Sequence, residues 1–298
     1  MRNKILGIVL TILLFISLDR ISGLFLNVGL EKYFGLNTPS KVLLIGHSHL
    51  MLATDKKKME DELGCKVAKY CREGVNAIDR LQMAKHYLDS KYADSLKVVL
   101  YGVDQFMLTG EQLSENAYKL FYPFMDDPAM DSYIYQSTDK LDYWQHKLVA
   151  TTRYSDALLN SSLRGWMNNW DNYKFGRLNV DQLRKDIAKG QQRKIHFNQD
   201  LQKAFENTLQ LFVDRKIQIV LVNTPVAKLL NEAEPEPYQK IISYFQELDD
   251  TSEWIHYLDL NPTNSDRYEL FFDAIHLNTD GQKVINDEIV EYLRKEVM

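Results

Sequence analysis

The sequence predicts an α/β fold, a doubly wound parallel sheet with helices on both faces. Strand-like runs alternate with segments of helical periodicity, which is typical of βαβ units. Several of the runs are rich in Val, Leu and Ile without polar alternation, as expected of parallel strands buried on both faces. The chain has 298 residues, 45% of them hydrophobic, which is enough for one large domain with a packed core.

Five strands and five helices are predicted along the chain, in alternation. The predicted strands are 41–45, 66–71, 96–101, 217–223 and a weaker fifth run at 255–260. The predicted helices are 55–63, 77–90, 198–215, 237–249 and 279–295. Parallel strands linked by helices form an open sheet whose ligands bind at the carboxyl ends of the strands.

The N-terminus predicts a membrane anchor, assigned to residues 1–30. Arg2 and Lys4 precede an apolar run from 5 to 18, and a second run from 21 to 26 follows Asp19 and Arg20. No small-x-small cleavage site follows, so an uncleaved helix through residues 5–27 is expected, with its N-terminus in the cytoplasm. A buried amphipathic helix is the alternative.

The remaining chain, residues 40–298, is predicted to be the α/β domain, with an insertion at about 106–195. This stretch has no convincing strand and contains Trp144, Trp166 and Trp170 beside many tyrosines. So long a segment is expected to be structured, and a mostly helical insertion over one edge of the sheet is predicted. Its aromatic side chains would form either a small core of their own or a carbohydrate-binding wall.

Charge and cysteine content exclude several classes of protein. A net charge of -5 and a pI near 5.8 argue against nucleic acid as the main partner. Cys65 and Cys71 flank a strand-like run whose extended length of about 20 Å is far too long for a disulfide. They are predicted to be free thiols. No metal-ligand spacing and no cofactor-binding motif is present, so no metal or cofactor is predicted.

Two distant segments carry the residues of an activated serine. The apolar run from 41 to 45 leads into Gly46-His47-Ser48, and Asp273-x-x-His276 lies near the C-terminus. They supply a hydroxyl, a carboxylate and an imidazole, the groups that nucleophilic catalysis by serine requires. Ser48 would lie at the carboxyl edge of the sheet, where a following helix aims N–H groups at developing negative charge.

These segments resemble the SGNH (GDSL-like) hydrolase superfamily, across roughly residues 40 to 298. Gly46-His47-Ser48 is similar to its first block, with His47 in place of Asp, and Gly74 is similar to the second-block glycine. Gly102-Val103-Asp104 falls where Gly-x-Asn is expected, and Asp273 and His276 match the last block. The resemblance implies a flavodoxin-like sheet.

The resemblance also implies roles for the residues of the site. Ser48 would be the nucleophile, His276 the general base and Asp273 its orienting partner, and the N–H groups of Ser48 and Gly74 would bind the oxyanion. Asp104 can act as a third donor only if it is protonated through a raised pKa. Otherwise Gln105 replaces it, or the protein is inactive.

His47 and His49 flank the serine and are expected to act as extra hydrogen-bond donors or as substrate contacts.

Anchored relatives of the superfamily imply a serine esterase or O-acyltransferase at a bacterial inner or plasma membrane. The protein would cross the membrane once, with its catalytic α/β domain on the extracytoplasmic (periplasmic) side. An acylated carbohydrate or lipid-linked carrier is the expected substrate, and a membrane acyltransferase a further partner. The alternative is an inactive module that binds a glycan or such a partner.

Overall fold

A computed structural model of the protein describes residues 2–110 and 117–297. Its sheet has five parallel strands in the order β2-β1-β3-β4-β5. The predicted doubly wound parallel sheet is confirmed, in the flavodoxin-like order whose topological switch point lies between β1 and β3. The strands are β1 (Val42–Gly46), β2 (Val67–Cys71), β3 (Val98–Val103), β4 (Gln218–Asn223) and β5 (Ile255–Asp259).

Thirteen α-helices occur in the described residues, and several begin at a side-chain cap. Asn76, Asn198 and Asn278 each accept hydrogen bonds from first-turn N–H groups of the helix that follows. The helices are α1 (Arg2–Phe34), α2 (Ser48–Ala53), α3 (Lys56–Leu63), α4 (Ala77–Leu88), α5 (Pro128–Ser137), α6 (Lys140–Leu148), α7 (Asp156–Trp166), α8 (Val180–Ala188), α9 (Gln199–Val213), α10 (Lys228–Ala233), α11 (Pro235–Asp250), α12 (Asn261–Asn264) and α13 (Thr279–Tyr292).

Both faces of the sheet are covered, which explains the apolar strands without alternation. On one face, Leu44 and Leu100 belong to a buried cluster with residues of α2 and α13. On the other, the ring of Tyr101 lies 5.2 Å from that of Phe205 on α9. Cys71 is buried in β2 and burial raises the pKa of its thiol to about 12, so this cysteine is an unreactive core residue. Both cysteines are free, as predicted.

The chain forms two compact units. Residues 2–37 with 117–169 make up one, here called the helical unit, and residues 38–110 with 170–297 make up the other, the sheet unit. The predicted insertion is helical where it is described: α5, α6 and α7 with short 3-10 turns lie in the helical unit, and α8 lies in the sheet unit. Residues 111–116 lie outside the described residues, and the predicted domain limits stay predictions.

Helix α1 is long and apolar enough to cross a membrane. It is longer than the predicted anchor. Residues 3–18 are exposed, whereas Asp19 is buried and accepts from the backbone N–H groups of Ala150 and Thr151 at 2.8 and 2.9 Å. Arg20 donates to the carbonyl of Leu148 at 3.0 Å. The charged pair that interrupts the apolar run therefore fastens α1 to the rest of the helical unit.

The second half of α1 packs closely on α7. A Cβ atom on Gly165 would lie 1.8 Å from the carbonyl oxygen of Gly29, and one on Gly29 would lie 2.5 Å from Ser162. Small residues on both helices thus let the two backbones touch. Ser162 uses this proximity to donate to the carbonyl of Leu26 at 2.6 Å.

Candidate active site

The first block of the site is shaped by the close packing of α2 on the sheet. A Cβ atom on Gly46 or on Gly102 would lie 2.9 or 2.8 Å from the Cβ of Leu50. Both glycines are therefore required because the first turn of α2 rests directly on β1 and β3. Gly46 does not have a positive φ, so this packing, and not a tight strand exit, explains the glycine before Ser48.

Ser48, His276 and Asp273 meet across 228 residues of sequence. The Oγ of Ser48 lies 2.8 Å from Nε2 of His276, and Nδ1 of His276 lies 2.8 Å from Oδ2 of Asp273. An ionised Asp273 accepts from Nδ1–H, which leaves Nε2 free to take the proton of the serine hydroxyl. This is the geometry of a nucleophile, its general base and an orienting carboxylate.

The carboxylate of Asp273 is fixed by the loop that carries it. Its Oδ1 accepts from the backbone N–H groups of Ile275 and His276, both at 2.9 Å. Burial opposes its ionisation, but the hydrogen bond from His276 and these two N–H groups lower the pKa of Asp273 below its usual value. The group therefore stays ionised and keeps the imidazole in one orientation at neutral pH.

Asn278 ties this loop to the final helix, a role that the sequence reasoning missed. Its Oδ1 accepts from the N–H groups of Asp280 and Gly281, and its Nδ2 donates to the carbonyl of Glu269 at 2.8 Å. The Asn-Thr-Asp-Gly sequence after His276 is a helix N-terminal signature. This signature predicts the N-terminal cap by Asn278, but not the hydrogen bond from its Nδ2 to the carbonyl of Glu269.

The two backbone N–H groups predicted to bind the oxyanion belong to Ser48 and Gly74, which follow the neighbouring strands β1 and β2. Ser48 is the first residue of α2, so its N–H has no acceptor within the helix. Gly74 has φ 78°, a conformation that favours glycine. The backbone N–H of Arg72 donates to the carbonyl of Gly46 at 3.1 Å. The loops that follow β1 and β2 therefore leave neighbouring strands at the same edge of the sheet.

His47 is the N-cap residue of α2. Its Nδ1 accepts from the N–H of His49 at 3.1 Å. In the neutral ring the proton therefore lies on Nε2, which donates to Oδ2 of Asp104. Burial lowers the pKa of His47 although Asp104 opposes this, so a neutral imidazole faces a carboxylate.

Asp104 is a hydrogen-bond acceptor, which corrects its predicted role as an oxyanion donor. It is fully buried at the end of β3, and its Oδ1 accepts from the N–H of Phe106 at 2.6 Å. Burial alone would raise its pKa, but His47 and His49 together hold the pKa well below its usual value. The expected raised pKa is therefore contradicted, because both oxygens already face N–H donors.

Gln105 does not replace it as an oxyanion donor either. Its side chain is fully buried and its Nε2 donates to Oδ1 of Asn231 at 2.8 Å. The amide nitrogen of Gln105 is thus already used in a hydrogen bond within the sheet unit. Ser48 and Gly74 remain as the two N–H donors of the predicted set.

His49 connects the buried pair to the base. Its ring lies edge-on to His47 at 4.4 Å and to His276 at 5.4 Å between centroids. Its Nδ1 lies 3.8 Å from Oδ2 of Asp104 and has no hydrogen-bond partner among the described residues. Burial lowers the pKa of His49 well below its usual value, so a second neutral imidazole packs against the catalytic base.

His47, His49 and Asp104 are also a donor set of the kind that divalent metals use, with ligand atoms within 4.8 Å of one another. The hydrogen bonds disfavour that use. A ligating histidine normally donates its other ring N–H to an acceptor, whereas Nδ1 of His47 accepts from an amide. Its Nε2 therefore carries the proton that a metal would have to displace.

Two arginines that the sequence analysis did not identify place positive charge near His47 and Asp104. Arg80 is fully buried and donates to the carbonyl of Gly102 at 2.6 Å. Arg193 lies over the ring of Phe106, with its guanidinium 4.8 Å from the centroid. Both lower the pKa of His47. They compensate the buried carboxylate, and only the tertiary structure brings them there.

A cavity of about 380 Å³ adjoins the loop that carries the base. It is lined by residues 174–177 on one side and by 278–280 on the other. The N–H of Leu178 donates to the carbonyl of Phe271 at 2.9 Å, which fixes the first segment to this loop. Its lining includes two cationic side chains, Lys174 and Arg177, and an exposed phenylalanine, Phe175.

No protein-family model matches the chain, and no curated protein matches it. Solved structures similar to it include the catalytic domain of peptidoglycan O-acetyltransferase A from Streptococcus pneumoniae, with 14% identity, a TM-score of 0.39 and coverage of 85% of this chain and 92% of that one. A GDSL-like lipase from Bacteroides thetaiotaomicron has 11% identity, a TM-score of 0.42 and coverage of 85% and 87%. A lipase from a goat rumen metagenome has 11% identity, a TM-score of 0.39 and coverage of 86% and 99%.

Independently of those likenesses, the structure itself places Ser48, His276 and Asp273 together at the carboxyl edge of a sheet with the order β2-β1-β3-β4-β5. In this strand order and in this arrangement the chain resembles the SGNH hydrolase superfamily.

Proposed function

We propose that the protein is a serine esterase or O-acyltransferase that acts on acyl esters. The observation that carries the proposal is the continuous hydrogen-bonded path from Ser48 through His276 to Asp273. Asp273, whose lowered pKa keeps it ionised, orients the imidazole so that its Nε2 faces the serine hydroxyl. Neither the buried pair at Asp104 nor Gln105 takes part in it.

The chemistry follows from the positions of the atoms. His276 Nε2 accepts the proton of Ser48 as its Oγ attacks the ester carbonyl, and the N–H groups of Ser48 and Gly74 stabilise the oxyanion. The alcohol leaves with the proton held by His276, and an acyl-serine remains. Water or an acceptor hydroxyl then attacks that ester, with the same imidazole as the base.

The substrate that we propose is an acylated glycan of the cell envelope or a lipid-linked carrier, on the extracytoplasmic side of a bacterial membrane. The apolar helix α1 with basic residues at its start supports a single-pass anchor whose N-terminus is cytoplasmic. A membrane acyltransferase that supplies acyl groups is a partner that would suit such a placement.

A fluorophosphonate probe tests the nucleophile directly. The wild-type protein should be labelled at Ser48, and Ser48→Ala should abolish labelling. His276→Gln should reduce the labelling rate by about 100-fold or more, because the hydroxyl loses its base. Ser265→Ala is a matched serine control in the sheet unit. Labelling that survives Ser48→Ala would contradict the role of Ser48 as the nucleophile, and a wild-type protein that is not labelled would favour the inactive, glycan-binding alternative.

A further inference from the structure

The helical unit exposes more large apolar side chains than a water-facing surface normally does. On α6 they are Leu141, Trp144 and Leu148, spaced three and four residues apart on one side of the helix. Leu141 is 80% exposed and Leu148 66%. On α7 the exposed set is Leu163, Trp166 and Met167, again at helical spacing, and Met167 is 71% exposed.

Both stripes are fastened to α1 at neighbouring turns. The end of α6 is held by Arg20, which donates to the carbonyl of Leu148 at 3.0 Å. The end of α7 is held by Trp166, whose ring stacks on Phe25 with centroids 4.9 Å apart and whose Nε1 donates to the Phe25 carbonyl at 3.0 Å. The exposed residues Ile21 and Leu24 belong to the same stretch of α1.

We propose that these stripes, with Ile21, Leu24 and Phe25, form a lipid-contacting apolar face, so that the helical unit lies partly embedded in the membrane surface. The apolar face is thus defined as residues 21, 24 and 25 of α1, 141, 144 and 148 of α6, and 163, 166 and 167 at the end of α7. A bilayer is its occupant because the face is continuous with a helix that is itself long and apolar enough to span one.

The depth of the face supports this occupant. At 1.5 Å per residue, a hydrocarbon layer of about 30 Å that begins at Ile5 ends about twenty residues later, near Leu24. The attachment points at Arg20 and Phe25 therefore lie at the level where the bilayer interior gives way to headgroups. Amphipathic segments lie in the membrane plane at this depth.

The tryptophans and charged side chains near the apolar face are of the kinds found at a membrane–water interface. Tryptophans concentrate at the boundary between hydrocarbon and water, and Trp144 and Trp166 both belong to the face. The Nζ of Lys32 lies 3.8 Å from the ring centroid of Trp166, where a long cationic side chain can reach the headgroups. Asp19 accepts from the backbone N–H groups of Ala150 and Thr151, and Arg20 donates to the carbonyl of Leu148, so both side chains can lie beneath the surface.

Quenching of tryptophan fluorescence in nanodiscs tests the proposal on the full-length protein. The probe is a phosphatidylcholine brominated close to its headgroup, which quenches only indoles that approach the lipid. Trp144→Phe and Trp166→Phe should each remove part of the quenchable emission, and together the larger part of it. Trp254→Phe, a control in the sheet unit, should leave the quenchable emission unchanged.

A second pair of variants keeps the test independent of the indoles. Leu141→Glu with Leu148→Glu should weaken the quenching of Trp144, because two carboxylates avoid the hydrocarbon. The control Phe175→Glu changes an exposed residue, 77% accessible, of the sheet unit and should have no effect. Circular dichroism and fluorophosphonate labelling verify that each variant is folded.

The outcomes separate the occupants of the face. If Trp144 is shielded from aqueous acrylamide but not quenched by the bromolipid, another protein or a second copy covers the face, and the proposal is overturned. If Trp144 is quenched by acrylamide and not by the lipid, the face points into water and the proposal is equally overturned. Either result leaves the nucleophile test at Ser48 unaffected.

Discussion

His47 and Asp104 form a buried polar pair that replaces the Asp and Asn of the resembled motif. The ring of His47 both caps α2 through Nδ1 and donates to Asp104 through Nε2. One imidazole ring therefore both caps α2 and pairs with the buried carboxylate. The pair supports the turn that carries Ser48 and does not itself face the oxyanion.

Asp104→Asn should reduce stability and activity at every pH tested. One carboxylate oxygen becomes an NH₂ group that faces the N–H of either His47 or Phe106, and the buried negative charge near Arg193 is lost. Breaking a buried pair in this way costs about 2–5 kcal/mol of unfolding free energy. Urea unfolding and probe labelling measure both effects, with Asp181→Asn as the surface control, since this side chain is 85% exposed.

An activity of Asp104→Asn equal to or above that of the wild type near neutral pH would contradict the acceptor role. It would restore the interpretation in which position 104 supplies a third oxyanion donor.

Asp273→Asn should leave the fold intact and slow acylation of Ser48 strongly. An amide at this position can present its NH₂ group to His276, which favours the tautomer that carries its proton on Nε2. The expected loss is about 10³- to 10⁴-fold, by analogy with the same change in a serine protease triad. Initial rates of ester hydrolysis measure it, and Asp280→Asn, 67% exposed, is the control. A loss below tenfold would mean that Asp273 does not orient the base.

At the scale of elements, α3 begins with a lysine that the fold buries. Lys56 is 4% exposed, lies 4.3 Å from the ring centroid of Trp170 and is 3.9 Å from Glu60. Burial lowers its pKa to about 8. Glu60 also pairs with Lys66 at 3.0 Å and accepts from the N–H of Val67, so it does not depend on Lys56.

Lys56→Met should therefore stabilise the protein at pH 7, by about 1–2 kcal/mol after loss of the cation–π contact. Between pH 8 and the unfolded pKa of about 10.5, the unfolded chain binds a proton that the folded wild type has released. Wild-type stability consequently rises with pH across this window, and that of the variant should not. Chemical unfolding at pH 7 and pH 10 tests it, and a variant less stable at pH 7 would contradict the prediction.

The contact of α1 with α7 depends on two glycines. Gly165→Ala places a methyl group into the carbonyl of Gly29, so the helices must separate, at a cost of about 1–3 kcal/mol or more. Gly7→Ala is the matched control, because a Cβ atom there meets nothing within 4 Å. Thermal unfolding in detergent, followed by the emission of Trp166, should show a lower midpoint for Gly165→Ala alone. Equal midpoints would show that the packing differs from that described.

At the scale of the whole molecule, α1 has two roles that divide near Asp19. Residues 3–18 are exposed. Beyond Asp19 one side of α1 packs against α7 and the turn at Ala150, while Ile21, Leu24 and Phe25 stay exposed. The packing of the helical unit therefore includes the second half of α1.

Truncation should separate these roles. A chain that starts at Asp19 should retain a protease-resistant segment at 117–169, whereas a chain that starts at Leu36 should lose it, since the α7 surface around Ser162 and Gly165 is then uncovered. Limited proteolysis with mass spectrometry measures the protection. Protection in both truncated chains would show that α7 needs no cover from α1.

The sequence by itself determined the sheet and the reacting groups. Strand-like runs without alternation are typical of buried parallel strands, and β1 to β5 were predicted to within two residues at each end. Ser48, Asp273 and His276 were identifiable because their residue types supply the groups of an activated serine and because their local sequence blocks resemble those of the SGNH superfamily. The capping asparagines could likewise be read from local sequence, because a cap contacts only the next turn.

Only the tertiary structure decided what the polar residues around the serine do. Whether Asp104 donates or accepts depends on His47, His49 and Arg193, whose proximity no local pattern encodes. The same holds for Asp19 and Arg20, which interrupt an apolar run in sequence but find their partners at Ala150, Thr151 and Leu148. Protonation states and buried charges depend on contacts that are distant along the chain, and those contacts exist only after folding.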